Sequence, residues 1–150
     1  MAPAAEGGAR RILFSSPFVP AEWIATHDLA PVRFTPRGGP TSGPVADREG
    51  VCPFTRAFVN EACAVPDLAG LVLVTTCDPM RRAFDEVKRQ TEVPVFLLDV
   101  PATWRTPGPH ALYRAELERL GGFLLARGGR SPGRDELARR LLAAGAPPGP

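Results

Sequence analysis

The sequence predicts an α/β fold with a doubly wound, mostly parallel sheet of about four strands, as in a flavodoxin-like or Rossmann-like lobe. Two observations predict it. Short apolar runs, typical of strands covered on both faces, alternate along the chain with stretches whose apolar residues keep helical spacing. In addition, 150 residues, 44% of them hydrophobic, suffice for one compact domain with a core and leave little room for two.

The first half of the chain predicts two strands and two helices. We predict a first strand at Arg11–Ser15, a short helix at Pro20–His27 and a second strand at Pro31–Phe34. A Pro-rich loop, Thr35–Pro44, then intervenes. From Pro53 onward, apolar residues keep the spacing of one helix face: Phe54, Ala57, Phe58, Ala62 and Val65.

The second half repeats the alternation. The continuous apolar run Leu71–Thr75 predicts a buried parallel strand, and Val93–Val100 predicts the next one. Between them, one face of a helix is marked by Met80, Ala83, Phe84 and Val87. A third long helix follows, with a face marked by Tyr113, Leu117, Leu120 and Leu124.

The end of the chain predicts a last short helix around Asp135–Ala143. Ser131 is the expected N-cap of this helix, and Pro132 is expected in its first turn. We therefore assign residues 1–127 to the α/β lobe and residues 128–150 to a short helix with a Pro/Gly-rich tail.

Composition argues against several classes of protein. The net charge is +2 and basic residues alternate with acidic ones, which favours solvated faces over a nucleic-acid-binding stripe. No segment approaches the roughly 20 apolar residues of a membrane span, and the first residues do not resemble a signal peptide. Three cysteines at wide, unequal spacing do not form a secreted disulfide framework. We expect a cytoplasmic protein.

Two cysteines each lie in a loop that opens a predicted helix, Cys52 before Pro53 and Cys77 before Asp78. Unpaired N–H groups and the positive end of the helix dipole lower the pKa of a thiol at such a place, which makes it a better metal ligand. In a parallel sheet, the carboxyl ends of the strands and the amino ends of the helices share one edge. We therefore predict that Cys52 and Cys77 converge at that edge.

A thiolate pair suits zinc or an iron–sulfur cluster, with the missing ligands coming from water, substrate or another chain. Cys63 is not expected to join the pair, because it lies roughly 16 Å from Cys52 along one helix. We predict that Cys63 packs against the core as a small apolar side chain. His27 and His110 are predicted to be surface residues, and Asp78 is predicted to be an N-cap with Pro79 at the first helical position.

Several segments resemble the 2-hydroxyacyl-CoA dehydratase family, which includes the benzoyl-CoA reductase-like subunits. The resemblance is carried by Gly50–Phe58, Leu71–Arg89 and Val95–Pro101, and the Thr-Cys-Asp-Pro-Met-Arg-Arg stretch is its most specific part. The segment Phe18–Arg33 also looks like the first segment of that family. The resemblance extends from about Ile12 to Leu125.

The resemblance implies a [4Fe-4S] cluster held by three cysteines per subunit, with one iron open to water or to an acyl-CoA thioester. Two of those cysteines match Cys52 and Cys77, which are the predicted metal ligands. In such enzymes a related subunit pairs with the chain, and an ATP-dependent iron–sulfur activator injects an electron so that a ketyl radical loses hydroxide. Arg81 and Arg82 are then candidates for the CoA phosphates, and Ser15 and Ser16 for substrate or the open iron.

This chain departs from the family pattern because family subunits have a second α/β lobe that supplies the third cysteine. No candidate cysteine follows Cys77 here. The main hypothesis is a cluster-binding lobe that needs a second lobe or partner chain, for radical dehydration or acyl-CoA reduction. One alternative is a truncated, non-catalytic interaction subunit. Another is a thiol switch in which Cys52 and Cys77 form a disulfide on oxidation.

Overall fold

A computed structural model describes residues 10–38 and 41–145. Its four strands are all parallel and form one sheet, which confirms the predicted fold class. The strands are β1 (Arg11–Phe14), β2 (Ala30–Arg33), β3 (Leu68–Val74) and β4 (Val95–Leu98). Their order across the sheet is β2-β1-β3-β4.

Five helices connect and follow the strands in the described part of the chain. They are α1 (Ala21–Thr26), α2 (Pro53–Cys63), α3 (Asp78–Gln90), α4 (Pro107–Ala126) and α5 (Arg134–Gly145). Each corresponds to a helix predicted from the sequence. Helix α4 begins at Pro107, ahead of the apolar face marked by Tyr113. A proline fits the first turn of a helix, where no backbone N–H is needed.

The sheet is covered on both faces. One core packs α1 and α4 against side chains such as Ile12, Val72 and Leu98. The other packs α2 and α3 against side chains such as Leu13, Leu71 and Leu73. Alternate residues of β1 and β3 therefore enter opposite cores, which explains why β3 and residues 12–14 of β1 are apolar.

The strand order places a topological switch point between β1 and β3. From β1 the chain moves outward to β2, and it then crosses back to β3 on the other side of β1. Ligands of open α/β sheets usually bind at the carboxyl ends of the strands near such a point. The carboxyl edge of β1 and β3 is therefore the expected position of a ligand site.

Some predicted element ends differ from the structure. The strand predicted at Val93–Val100 shortens to β4, because the backbone N–H of Val100 donates instead to the Thr75 hydroxyl at 3.0 Å. Ser131 is not the N-cap of α5: the helix starts at Arg134, and Leu137 N donates to Gly133 O at 3.0 Å.

The last helix lies against α1. The Arg140 guanidinium donates to the carbonyl oxygen of Ala25 at 3.1 Å, and Arg130 forms an ion pair with Asp28 at 2.7 Å. The rest of the predicted tail, residues 146–150, and part of the loop Thr35–Pro44 lie outside the described residues.

A search of the described helices finds none with the length and apolar character needed to cross a membrane.

Candidate metal centre

Cys52 and Cys77 are the N-cap residues of α2 and α3. Both have extended backbone conformations, with ψ of 159° at Cys52 and 149° at Cys77. Helix α2 precedes β3 and returns the chain to the amino end of that strand, while α3 follows the carboxyl end of β3. Both helices therefore begin at the carboxyl edge of the sheet. Both helices also pack against the same face of the sheet. The structure therefore brings the two cysteine-bearing turns to the same edge and the same side of the sheet.

The loop before Cys52 touches α3 directly. We call residues 43–51 the Cys52 loop. Within it, Gly50 has φ of +73°, and a Cβ atom at this position would lie 3.1 Å from both Cδ and Nε of Arg82. Arg82 lies early in α3, so this contact links the loop that ends at Cys52 to the helix that begins after Cys77.

Cys52 is an exposed, free thiol whose sulfur takes part in the cap of α2. The sulfur accepts a hydrogen bond from Thr55 N at 3.4 Å, and the thiol donates to the Thr55 hydroxyl oxygen at 3.3 Å. Partial desolvation raises the pKa of Cys52, but once the sulfur is ionised the Thr55 hydroxyl can turn to donate to it, as backbone N–H groups do, and these hydrogen bonds lower the pKa overall. A lowered pKa favours the thiolate, the form that binds metals.

Cys77 is also exposed and free, but its side chain makes no capping hydrogen bond. The prediction of Asp78 as N-cap is wrong by one residue, because Cys77 has the extended backbone and Asp78 is already helical. Asp78 and Pro79 instead belong to the first turn of α3, where a carboxylate interacts favourably with the helix dipole.

Cys63 differs from the other two cysteines. It is the last residue of α2, is only partly exposed and packs against the core between α2 and the sheet, as predicted. Burial raises the pKa of its thiol to about 11. Cys63 is therefore a poor thiolate donor near neutral pH.

The prediction for His27 is wrong. His27 is 3% exposed, and its ring packs edge-on against the Trp23 ring, with Nδ1 2.7 Å from the carbonyl oxygen of Trp23. The next helix of this face, α4, covers it, since Gly121 approaches the imidazole ring. His110 is exposed, as predicted.

Ser15 and Ser16 follow β1 at the carboxyl edge and are half-buried. The carbonyl oxygen of Ser15 accepts from Arg33 Nε at 3.2 Å. The hydroxyl oxygen of Ser16 accepts from Phe18 N at 3.2 Å. In this structure these groups stabilise the turn after β1.

Arg81 and Arg82 are both exposed and lie near the start of α3. The Arg81 Nε donates to the carbonyl oxygen of Thr75 at 3.2 Å, so its guanidinium lies over the end of β3. Arg82 packs along Gly50, as described above. Two positive charges therefore lie close to the two cysteine-bearing turns.

Sequence reasoning missed three residues of α2 that support this site: Thr55, Arg56 and Asn60. Thr55 contacts the Cys52 sulfur, while Arg56 and Asn60 bind backbone groups of the Cys52 loop. For Thr55 a signal was available, because an N-cap side chain commonly bonds the N–H three residues later. No pattern identifies the other two, since their partners are carbonyl and amide groups of an irregular loop.

Within residues 10–38 and 41–145, no group of three or more His, Cys, Asp or Glu side chains is arranged to hold a metal ion. At this edge the described residues include two exposed thiols, those of Cys52 and Cys77.

Comparison with known proteins gives one family match. The model of the family described as 2-hydroxyglutaryl-CoA dehydratase, D-component, matches residues 17–142, a range that includes Cys52 and Cys77. None of the curated proteins matches the chain.

Proposed function

The chain belongs to the 2-hydroxyglutaryl-CoA dehydratase D-component family, and on that premise we propose that it is the iron–sulfur-binding lobe of a 2-hydroxyacyl-CoA dehydratase-like complex. In this proposal Cys52 and Cys77 are two ligands of a [4Fe-4S] cluster, and a second lobe or partner chain supplies the rest. The reaction is radical dehydration or acyl-CoA reduction, driven by an ATP-dependent iron–sulfur activator.

One observation carries the proposal: two exposed, free cysteines cap neighbouring helices at the carboxyl edge of the sheet. Their donor chemistry fits the cluster, because iron–sulfur clusters are held by thiolates and both sulfurs are accessible. The hydrogen bond from Thr55 N and the lowered pKa of Cys52 favour the ionised sulfur that a cluster requires. Cys63, by contrast, is unsuited by its burial and raised pKa.

The remaining charged groups at this edge suit an anionic centre. A cluster with thiolate ligands carries net negative charge, which the amino ends of α2 and α3 stabilise through their N–H groups and dipoles. Arg81 and Arg82 add positive charge beside it. When bound, such a cluster supplies one-electron chemistry, and this chain contributes the ligands, the charge and part of the surrounding surface.

Exposed apolar side chains at the same edge support a partner. Phe18 follows β1, Phe54 lies in the first turn of α2, and Trp104 lies in the loop after β4, with exposures of 55%, 48% and 44%. Large apolar side chains gathered around one edge are typical of a surface that another protein covers. A covering lobe would also exclude water from the acyl-CoA site, as radical chemistry requires.

Anaerobic reconstitution with iron and sulfide tests the proposal. We expect the wild-type chain, with its partner where one co-purifies, to take up iron and sulfide and to show thiolate-to-iron charge-transfer absorption. Cys52→Ala and Cys77→Ala should each lose most of the bound iron. Cys63→Ala is the matched control, since it removes a thiol from α2, the helix that Cys52 caps. This variant should bind as much iron as the wild type.

The proposal fails if the wild-type chain and its co-purified partner bind no iron. It also fails if both edge variants bind as much iron as the Cys63→Ala control.

A further inference from the structure

We infer that Arg56 is a positioning residue, which holds the Cys52 loop so that the Cys52 sulfur can bind the cluster. The inference rests on the proposed function and adds a residue to it. Arg56 does not contact the sulfur; it acts on the backbone that carries it.

One guanidinium group of Arg56 binds three carbonyl oxygens of the Cys52 loop and its end. Its NH1 donates to Val45 O at 3.2 Å. Its NH2 donates to Arg48 O at 3.1 Å and to Val51 O at 3.3 Å. The planar guanidinium, with five N–H donors in fixed directions, is suited to join three acceptors in this way.

The position of Arg56 in α2 explains its reach. Its backbone N–H donates to the carbonyl oxygen of Cys52 at 2.9 Å, so Arg56 lies one helical turn after the cysteine. Long side chains on a helix point back toward its amino end. The guanidinium therefore returns to the chain just before the helix, where Val51 O belongs to the peptide group shared with Cys52.

The loop held by Arg56 is also fixed by its other contacts. Val45 is fully buried and its N–H donates to Asn60 Oδ1 at 3.2 Å, while Val51 is 6% exposed. Gly43 packs against the Asn60 side chain so closely that no Cβ atom would fit. These contacts anchor the two ends of the Cys52 loop. The Arg56 guanidinium binds a carbonyl group near each end and the carbonyl group of Arg48 in the middle.

The same loop also binds α3. Arg48, whose carbonyl oxygen is held by Arg56, forms an ion pair with the buried Glu86 at 3.2 Å. Gly50 packs against Arg82. Arg56 thus fixes a segment that spans both cysteine-bearing helices, so its loss should loosen the placement of Cys52 relative to Cys77.

The test compares Arg56→Ala with Arg11→Ala in the full chain and measures two quantities. Arg11 is the matched control, because it also donates to a backbone carbonyl, Pro66 O at 3.0 Å, but far from the Cys52 loop in sequence and at the other edge of the sheet. The first quantity is amide hydrogen exchange of residues 43–51. The second is iron bound per chain after anaerobic reconstitution, at limiting and at excess iron.

We expect Arg56→Ala to exchange faster in the loop and to bind iron about tenfold more weakly, the size typical of losing a group that orients a metal ligand. Arg11→Ala should change neither quantity. Arg56→Lys, which can reach fewer of the three carbonyls at once, should restore both in part. Should Arg56→Ala fail to fold, Arg56→Lys against the wild type decides the question by the same two measurements.

Unchanged iron affinity in folded Arg56→Ala overturns the inference, whether or not the loop exchanges faster. If the wild type binds no iron, the proposed function fails and with it the role of Arg56 toward a cluster. Faster exchange in Arg56→Ala would in that case show separately that the guanidinium holds the loop.

Discussion

At the scale of single residues, the local environment makes the Cys52 thiol chemically different from the Cys63 thiol. Cys52 accepts hydrogen bonds at a helix start and has a lowered pKa, whereas Cys63 is buried against the core and has a pKa raised to about 11. Hydrogen bonds to the ionised sulfur favour the thiolate, while an apolar environment disfavours it. The difference should be measurable in the chain without metal.

The Thr55 hydroxyl is the side-chain group that tunes Cys52. Thr55→Val removes this hydroxyl and keeps the backbone N–H, so we expect the pKa of Cys52 to rise and its alkylation at neutral pH to slow. Thr55→Ser keeps the hydroxyl and should behave as the wild type. Alkylation rates of each cysteine peptide across a pH series, read by mass spectrometry, check this. An unchanged pH profile in Thr55→Val would refute the role of Thr55.

Glu86 is a buried carboxylate that joins α3 to the Cys52 loop. Its side chain is 5% exposed, and its carboxylate is bound by Arg89, Gln90 and Arg48. The Arg89 and Gln90 hydrogen bonds, together with the charges of Arg89 and Arg48, lower the pKa of Glu86 from its ordinary value of 4.5, against the opposing effect of desolvation.

Because the folded state lowers this pKa, Glu86 stabilises the fold above its unfolded pKa, and that contribution disappears as the pH falls through the folded pKa. We expect Glu86→Gln to lower the free energy of unfolding at neutral pH. On acidification, the free energy of unfolding should fall less in Glu86→Gln than in the wild type. Glu118→Gln, on an exposed position of α4, should leave both unchanged. Denaturant unfolding at several pH values measures this; parallel curves for wild type and Glu86→Gln would contradict it.

At the scale of elements, α2 supplies both core packing and the site. Phe58 is fully buried between the sheet and the rings of Phe34 and Phe54, while Phe54, one turn earlier, is 48% exposed. We expect Phe58→Ala to reduce the free energy of unfolding by about 3–5 kcal/mol. Phe54→Ala, the matched control, should cost about 1 kcal/mol because half of its ring is already in water. Equal costs in chemical denaturation would mean that this packing is wrong.

The elements themselves were predictable from sequence, because their periodicity reflects which faces are buried. The apolar run at Leu71–Thr75 and the spacing from Met80 to Val87 predicted β3 and α3. Element ends were less predictable. Asp78 was predicted as the N-cap of α3, but the N-cap is Cys77. The backbone conformation decides which residue is the N-cap, and residue type alone does not determine that conformation.

Features of the site could be predicted from the sequence only where they depend on a single helix or strand. Both cysteines were placed correctly at helix starts, because the Pro after or near each marks a first turn. The burial of His27 was missed, since it depends on α4 crossing α1 at Gly121. The role of Arg56 was missed as well, because its partners are carbonyls of a loop whose path is fixed only by the whole fold.

At the scale of the whole molecule, the switch point of the sheet determines where the cysteine-bearing turns lie. The order β2-β1-β3-β4 brings the starts of α2 and α3 to one edge, and exposed apolar side chains surround that edge. The chain therefore presents Cys52 and Cys77 beside exposed apolar side chains. This is what a lobe would need if it shared a metal centre with a partner.

The most direct measurement is whether one bound centre protects Cys52 and Cys77 together. In the anaerobically reconstituted chain, with its partner where one co-purifies, we predict that both thiols become slow to alkylate, because a thiolate bound to iron is a poor nucleophile. Removing the iron with a chelator should restore both alkylation rates, and Cys63→Ala should behave as the wild type. Iron bound to the chain while Cys52 or Cys77 alkylates as fast as before reconstitution would contradict a shared centre.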